Sequence, residues 1–292
     1  MQVRPRIKIY EERDFGEKFN ATFSFLSREF KNFIPVLFKI LGIPLLITML
    51  LNGLNTAFQF ENMSFAEPEA GPMVFVIYFL RILVYNMAIM AVAGYVKVYN
   101  NPTSPEEKVT AGAVWKAIRG KIVPGFFLTI IYSLIVGLGL LLLIIPGIYL
   151  AIALSLSHIV YVIEDEGIFS SMSKSVNLVN QKWFPSFGFM FVMGIICLAL
   201  GFFLQLPSFI LGIFIGVSAE SGTSMDIPIW ATMLLVAIPG MIAYAAYLLN
   251  FLGETILYGS LREMSESPGI MNAIDNFGKR EEESPGENAV TF

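Results

Sequence analysis

Cysteine, histidine and charged side chains are all scarce in this chain of 292 residues. The only cysteine, Cys197, excludes an intramolecular disulfide and a cysteine-rich metal site, and the only histidine, His158, excludes a site with two histidine ligands. Charged residues make up 14% of the chain, whereas soluble domains average about 25%. Hydrophobic residues make up 55%. This composition indicates an integral membrane protein, because one water-soluble core cannot bury so much apolar surface.

Acidic residues are concentrated near the C-terminus. From Glu263 onward there are seven acidic and two basic residues, whereas residues 1–262 are close to neutral. The low isoelectric point is therefore a property of the tail, and no basic surface suited to nucleic acid is expected. We expect residues 264–292, which include "KREEESPGE", to form a disordered acidic tail.

Six apolar runs are long enough to cross a bilayer as helices, which takes about 20 residues for a hydrocarbon core of about 30 Å. The fourth run is the shortest, and "IIPGIY" (144–149) predicts a tight turn that joins it to the third. The first run follows a long basic segment, so we expect a retained anchor and not a removable signal peptide. The chain is thus predicted to be an all-α polytopic membrane protein with spans at about 33–54, 73–96, 123–144, 147–163, 184–204 and 229–257.

Lysine and arginine fall on one side of these predicted spans. Lys39 and Arg81 lie inside spans, and the connections 55–72, 145–146 and 205–228 contain no basic residue. By the positive-inside rule, both termini are therefore expected in the cytoplasm. The other 17 basic residues lie in 1–32, 97–122, 164–183 and 259–292.

Three segments on the basic side have the periodicity of amphipathic helices. In residues 14–33 the apolar stripe repeats every three or four positions, and residues 104–123 and 166–179 carry similar faces. We expect each segment to be a cytoplasmic helix in the membrane interface, with its apolar side in the acyl boundary. The stripe of the first segment consists of Phe15, Phe19, Phe23, Leu26, Phe30 and Phe33, and that of the third consists of Ile168, Met172, Val176 and Val179.

A short basic, aromatic and proline pattern follows each of these helices, in "REFKNFIPVLF" (28–38), "RGKIVPGFFL" (119–128) and "NQKWFPSFGF" (180–189). Proline is tolerated in the first turn of a helix, and lysine and aromatic residues suit the membrane boundary. The pattern predicts three helical hairpins, each preceded by an interfacial helix, through either a true repeat or convergent boundary chemistry. The predicted membrane-boundary elbows are Lys31, Pro35, Lys121, Pro124, Lys182, Trp183 and Pro185.

The predicted domain organisation is simple. Residues 1–13 are expected to form a cytoplasmic N-terminal segment, residues 14–263 one membrane domain, and residues 264–292 the tail. Residues 205–217 hold a further apolar patch after Pro207, which is too short to span and is predicted to be re-entrant or interfacial on the outer face.

Two ionisable residues at similar predicted depth are candidates for a polar site in the outer half of the membrane. Arg81 lies about 12 Å below the outer end of its span, where a charge usually faces a partner or a wet cavity. Snorkelling to lipid phosphate is the alternative. His158 could join Arg81 in one pocket for an anionic headgroup, or it could be an interhelical hydrogen-bonding residue.

Other charged residues have structural interpretations. Lys39 and Glu254 lie toward the cytoplasmic ends of their spans and are predicted to form a structural ion pair. The acidic turn Glu164–Asp165–Glu166 is expected to cap the following helix. No nucleophile elbow, phosphate loop or metal-binding His–Glu pattern is present, so no enzymatic activity, metal or cofactor is predicted.

The stretch "IPGIYLAIALSLSHIVYVIEDEGIFSSMSKSVNLVNQKWFPSFGF" (145–189) and the ending "ILYGSLRE" (256–263) carry a family resemblance. They resemble the glycerophosphoryl diester phosphodiesterase membrane-domain family, which has YciC-like and other uncharacterised bacterial relatives. The resemblance implies a six-span module of a bacterial cytoplasmic (inner) membrane. The phosphodiesterase activity is not implied, because the chain has no room for the catalytic barrel.

Two functions remain open on the sequence. The preferred one is a non-catalytic protein that organises or assists an envelope or membrane process through contacts with membrane lipids and a membrane protein partner. The alternative is a carrier or binder of a lipid or other anionic amphiphile, with Arg81 and His158 in its site. Nucleic acid is not an expected partner of either.

Overall fold

The computed structural model describes residues 6–61, 72–101, 108–220 and 228–267, and all regular structure within them is α-helical. Six stretches are long and apolar enough to cross a membrane, which confirms the prediction of an all-α six-span protein. They are Phe15–Phe58, Met73–Asn100, Ile122–Leu142, Ile144–Ile163, Trp183–Phe214 and Trp230–Glu266. The helices are α1 (Phe15–Glu61), α2 (Pro72–Asn100), α3 (Ala111–Ile118), α4 (Ile122–Leu142), α5 (Ile144–Ala153), α6 (Ser157–Ile163), α7 (Ile168–Asn180), α8 (Trp183–Glu220) and α9 (Ile229–Glu266).

Consecutive spans pack as three hairpins, formed by α1 with α2, by α4 with α5 and α6, and by α8 with α9. Helix α1 also packs extensively against α9, so the first and last hairpins lie side by side. We call the end of the bundle that holds α3, α7 and residues 6–14 the collar end. Because α2 and α9 both run toward this end, residues late in those two helices lie near the collar.

The fourth span is bent where α5 ends and α6 begins. The interruption at Leu154–Leu156 frees backbone carbonyls, and serine side chains bond two of them: Ser155 Oγ donates to Ile152 O at 2.8 Å and Ser157 Oγ to Leu154 O at 2.6 Å. The turn before this span lies at Leu143, which has an extended backbone, and not at the predicted Pro146–Gly147. Both of those residues lie in the first turn of α5, where proline removes no needed donor.

Two of the three predicted interfacial helices are separate elements, and the first is not. Helix α3 is capped by Thr110, whose hydroxyl accepts from Ala113 N, whereas the predicted start near residue 104 lies outside the described residues. Helix α7 ends before the elbow at Lys182. By contrast, Lys31 and Pro35 lie within the uninterrupted helix α1, so the predicted elbow there is wrong.

Packing explains why α1 continues through Pro35. Phe33 and Leu37, on either side of Pro35, are fully buried in the core, and tertiary packing of this kind offsets the loss of one helical hydrogen bond. The other elbow prolines, Pro124 and Pro185, lie in the first turns of α4 and α8. Lys121 and Trp183 lie at the starts of the same two helices.

The apolar faces of the collar helices do not all point to lipid. In α7, Met172 and Val179 are buried against the bundle, so this face packs on protein and the expected lipid-facing orientation is wrong. On α1, Phe15, Phe23 and Phe30 are exposed, which leaves half of the predicted stripe on the outside of the bundle.

The two longest extensions past the C-terminal ends of the predicted spans are those of α8 and α9. Helix α8 continues through Pro207 to Glu220, so residues 205–217 are neither a re-entrant nor an interfacial piece. Helix α9 continues to Glu266, three residues into the predicted disordered tail, whose remainder (268–292) lies outside the described residues. Pro207 removes one donor from the helical ladder, and Ser208 bonds α9 next to it, through Oγ to Leu235 O at 3.0 Å.

Candidate functional site

A cavity of about 730 Å³ lies between α1, α2, α8 and α9. It extends along α9 from Val236 to Phe251, about 22 Å at 1.5 Å per residue, in the part of the bundle away from the collar. Its walls are mainly apolar, which is typical of a site for a hydrophobic ligand. The apolar lining includes Leu45, Met49, Val84, Leu198, Val236 and Phe251.

Arg81 of α2 is the charged side chain of the cavity lining. Its Nη2 donates to Asn52 Oδ1 of α1 at 2.6 Å, and its guanidinium lies 5.6 Å from the centroid of the Tyr78 ring. Within the described part of the chain, no carboxylate pairs with Arg81. The positive charge is therefore not neutralised by the described residues, in a segment where an unpaired charge is costly.

Further polar side chains lie along the same cavity. Gln205 and Asn250 contribute amides, and Tyr244 contributes a phenol whose buried oxygen has no hydrogen-bond partner among the described residues. A buried polar atom without a partner costs about 1–3 kcal/mol, so Tyr244 would gain from an acceptor on a ligand. Cys197, the only cysteine of the chain, also lines the cavity.

Two glycines of α8 help to create the cavity. Gly194 and Gly201 both line it, and a Cβ added at either position would meet no atom within 4 Å. They are seven residues apart, so they lie on the same face of α8 with Cys197 and Leu198 between them. Side chains at these two positions would occupy space that is now open.

His158 does not share the site of Arg81, so the predicted pocket containing both residues is wrong. His158 of α6 is buried, and its Nε2 lies 2.8 Å from Thr129 Oγ1 of α4. Thr129 Oγ1 in turn lies 3.3 Å from Asn86 Oδ1 of α2. His158 therefore belongs to a buried polar cluster that joins three helices, which matches the alternative interpretation of an interhelical hydrogen-bonding residue.

The predicted ion pair between Lys39 and Glu254 does not form. Lys39 is exposed on the outside of α1, whereas Glu254 accepts a hydrogen bond from Asn250 Nδ2, one turn earlier in α9, at 2.7 Å. Asn250 lines the cavity, so Glu254 is linked to it at the end nearer the collar. The sequence predicts the two residues at similar depth. Their side chains point in different directions, however, because Lys39 faces the outside of the bundle and Glu254 faces Asn250.

A second polar cluster, at the collar end, was not predicted from the sequence. Glu164, at the end of α6, has a side chain only 7% exposed. Its carboxylate lies 2.5 Å from Lys174 Nζ of α7, accepts from Tyr258 Oη of α9 at 2.7 Å, and lies 3.7 Å from Arg262 Nε. Glu266 bonds the same two cations, at 2.6 and 2.9 Å. We call these residues the collar clasp, because they join α6, α7 and α9.

Asp165, the next residue of the acidic turn Glu164–Asp165–Glu166, forms ion pairs with two other lysines. Its carboxylate lies 2.6 Å from both Lys97 Nζ of α2 and Lys121 Nζ before α4. Its backbone has a φ of 59°, a left-handed conformation that aspartate tolerates better than most residues. The acidic turn therefore connects helices, which differs from the expected role as a cap of α7.

The ion pairs at the collar shift two pKa values. Partial burial acts to raise the pKa of Asp165, but hydrogen bonds and charge from Lys121 and Lys97 outweigh it and hold the pKa below its usual value. Burial acts to lower the pKa of Lys174, but bonds to Glu164 and Glu266 outweigh it and raise the pKa. Both groups are therefore charged at neutral pH.

No metal centre is formed by the described residues, since no group of three His, Cys, Asp or Glu side chains lies close enough to hold an ion. The ionisable residues of the cavity lining are Arg81, Cys197 and three tyrosines. This lining has no histidine or carboxylate that could act as a general base.

Comparison with known proteins identifies one family. Residues 74–220, just over half of the chain, match the Uncharacterised protein family (UPF0259). A segment of 52 residues is 50% identical to the UPF0259 membrane protein PC1_1998 of Pectobacterium carotovorum subsp. carotovorum (strain PC1). That match covers 18% of this chain and 21% of the Pectobacterium protein. No solved structure matches the chain.

These matches bear on the resemblance found in the sequence. They support the relation to uncharacterised bacterial membrane proteins, and they show no link to the glycerophosphoryl diester phosphodiesterase membrane-domain family. The family match covers part of α2 through α8, including the cavity residue Arg81 and both cavity glycines of α8. The chain therefore belongs to the uncharacterised membrane protein family UPF0259.

Proposed function

We propose that this protein binds an anionic amphiphile in the cavity between α1, α2, α8 and α9, and that its role is non-catalytic. The observation that carries the proposal is Arg81, whose charge has no carboxylate partner among the described residues and which lines a mainly apolar cavity at membrane depth. An anionic headgroup would neutralise the guanidinium, and the apolar walls would bury a hydrocarbon tail. His158 has no part in this proposal.

The proposed location is the cytoplasmic (inner) membrane of a bacterium, with both termini in the cytoplasm. The distribution of basic residues supports this orientation, because the collar end carries them and the opposite connections lack them. In this orientation the cavity lies in the outer part of the membrane domain, since α2 enters from the outer side and Arg81 precedes its collar end by some 20 residues.

Native mass spectrometry of the full chain, extracted with its surrounding membrane and without detergent, tests this function. We expect the wild type to retain a stoichiometric anionic amphiphile and Arg81→Leu to lose it. Lys39→Leu is the matched control, because it also removes a cation from a span but lies outside the cavity. Retention of the amphiphile by Arg81→Leu, or loss from both variants alike, would contradict the proposal.

A second candidate function is that the protein organises or assists an envelope process through a membrane protein partner. The outer faces of α4 and α8 are large enough to take such a partner, because only 17% and 11% of their most apolar segments are buried within the chain. In the same experiment, a protein partner retained by the wild type and by Arg81→Leu, with no stoichiometric amphiphile in either, would support this second function over the first.

A further inference from the structure

We propose that the ligand of this cavity has a single hydrocarbon chain, which lies along Gly201 and Gly194 of α8 with its anionic head at Arg81 and Asn52. This inference rests on the proposed binding function and specifies its ligand class. It depends on the cavity volume, on the position of the glycines and on the distribution of polar groups along the cavity.

The cavity volume matches one hydrocarbon chain with its headgroup. A methylene group occupies about the volume of a water molecule in the liquid, about 30 Å³, so a chain of sixteen carbons needs about 480 Å³. Of the 730 Å³ available, about 250 Å³ then remains for a headgroup. Two such chains need about 960 Å³, so a second chain would have to lie outside the cavity, on its open side at Leu198, which is 73% exposed.

The polar groups place the head at one end of the cavity. Gly53 of α1 lies against the backbone of Met233, which is one turn before Val236 in α9. Asn52, the residue before Gly53, and the Arg81 guanidinium that bonds it therefore lie at the Val236 end of the cavity. Arg81 can offer two parallel N–H donors to a carboxylate or phosphate, which suits either kind of anionic head. Tyr244, whose phenol has no partner among the described residues, lies about 12 Å farther along α9, where the cavity would hold the hydrocarbon chain.

Gly194 and Gly201 define the path of the hydrocarbon chain toward the Phe251 end of the cavity. Gly253 of α9 lies against Met193 of α8, so Gly194 is near the Phe251 end of the cavity, and Gly201 lies two turns farther toward Arg81. Open space at both positions leaves a slot along α8 that side chains would close. A hydrocarbon chain in this slot would contact Leu198 and Cys197 between the two glycines.

The test measures binding of defined probes to the full chain in nanodiscs of phosphatidylcholine by native mass spectrometry. The probes are palmitate, lysophosphatidate with one palmitoyl chain, and phosphatidate with two palmitoyl chains. The test variant is Gly201→Leu, and the matched control is Gly137→Leu. Gly137 also lies in a span and faces open space, but it does not line the cavity.

We expect one molecule of a single-chain probe to bind the wild type and Gly137→Leu equally. In Gly201→Leu, binding should weaken by about tenfold or more, because each displaced methylene contact weakens binding by about fourfold. Comparing palmitate with lysophosphatidate shows whether the head is a carboxylate or a phosphate, and binding of either one supports the inference.

Two results would overturn the inference in different ways. If two-chain phosphatidate binds the wild type as tightly as lysophosphatidate does, the single-chain inference is wrong and the proposed function stands. If none of the three anionic probes binds, both are wrong. Equal weakening in Gly201→Leu and Gly137→Leu would also contradict the slot, because the effect would then not depend on the cavity.

Discussion

Replacing Glu164 with glutamine removes the central carboxylate of the collar clasp while keeping the size of the side chain. Glu164 is 7% exposed and interacts with Lys174, Tyr258 and Arg262. Breaking a buried ion pair by removing one partner costs about 3–5 kcal/mol. Since Lys174 and Arg262 keep their bonds to Glu266, we expect Glu164→Gln to lower the free energy of unfolding by about 2–3 kcal/mol.

The matched control for this change is Glu266→Gln. Glu266 bonds the same two cations, but its side chain is 36% exposed, so its loss should cost at most about 1 kcal/mol. The free energy of unfolding can be measured in mixed micelles by titration with a denaturing detergent, followed by tryptophan fluorescence. A double-mutant cycle with Lys174→Met should give a coupling of at least about 1 kcal/mol. If Glu164→Gln costs no more than Glu266→Gln, the clasp does not stabilise the fold as described.

Three further predictions concern packing, the buried polar cluster and pH. A Cβ at Gly53 would lie 2.5 Å from a carbonyl oxygen of α9, so Gly53→Ala should lower the free energy of unfolding by about 1–3 kcal/mol, whereas Gly16→Ala, in open space, should be neutral or slightly stabilising. His158→Leu should destabilise the fold by about 0.5–1.5 kcal/mol, because it removes the hydrogen bond to Thr129, which keeps Asn86 and Gly125 as partners, yet amphiphile binding should not change. Stability should be lost at both pH extremes. The lowered pKa of Asp165 gives stability that disappears as pH falls through its folded value, and the raised pKa of Lys174 gives stability that disappears as pH rises above about 10.

Each of these predictions has a result that contradicts it. Equal effects of Gly53→Ala and Gly16→Ala would mean that α1 and α9 do not pack as closely as described. Loss of the amphiphile in His158→Leu, with the fold intact, would restore His158 to the binding site. For pH, Asp165→Asn should flatten only the acidic limb of the unfolding profile, and an unchanged acidic limb would contradict the ion pairs of Asp165 with Lys97 and Lys121.

The spans could be predicted because hydropathy is a local property. A helix in lipid must satisfy its backbone hydrogen bonds internally, so about 20 consecutive apolar residues are almost sufficient to identify it. Breaks between helices depend on tertiary packing and were predicted less well. The same proline pattern begins a helix at Pro124 and Pro185 but lies inside one at Pro35, where the neighbouring Phe33 and Leu37 are fully buried.

The candidate site was only partly predictable for a geometric reason. Position along a span gives the depth of a residue, and this identified Arg81 as an intramembrane charge. Depth does not give the direction in which a side chain points around the helix axis. The predicted partners, Arg81 for His158 and Lys39 for Glu254, were therefore chosen by depth alone, and the side chains do not face them. In the structure His158 lies beside Thr129, and Glu254 lies beside Asn250.

The collar clasp was missed for a different reason. Glu164 is ten residues from Lys174 but 94 residues from Tyr258, and only the packing of α6 on α9 brings the latter pair together. The sequence does give one signal, which is an acidic turn directly after an apolar span on the basic side of the membrane. Such a turn has many lysines and arginines within reach, so pairing with them was a foreseeable alternative to helix capping.

The most direct test of the central claim is an experimental structure of the full chain in a lipid bilayer, without added amphiphile. We predict elongated density in the cavity between α1, α2, α8 and α9, with one end within hydrogen-bond distance of the Arg81 guanidinium. The tail of that density should follow Gly201 and Gly194. A cavity closed by its own side chains, or an Arg81 side chain turned out of the bundle to bulk lipid phosphate, would contradict the claim.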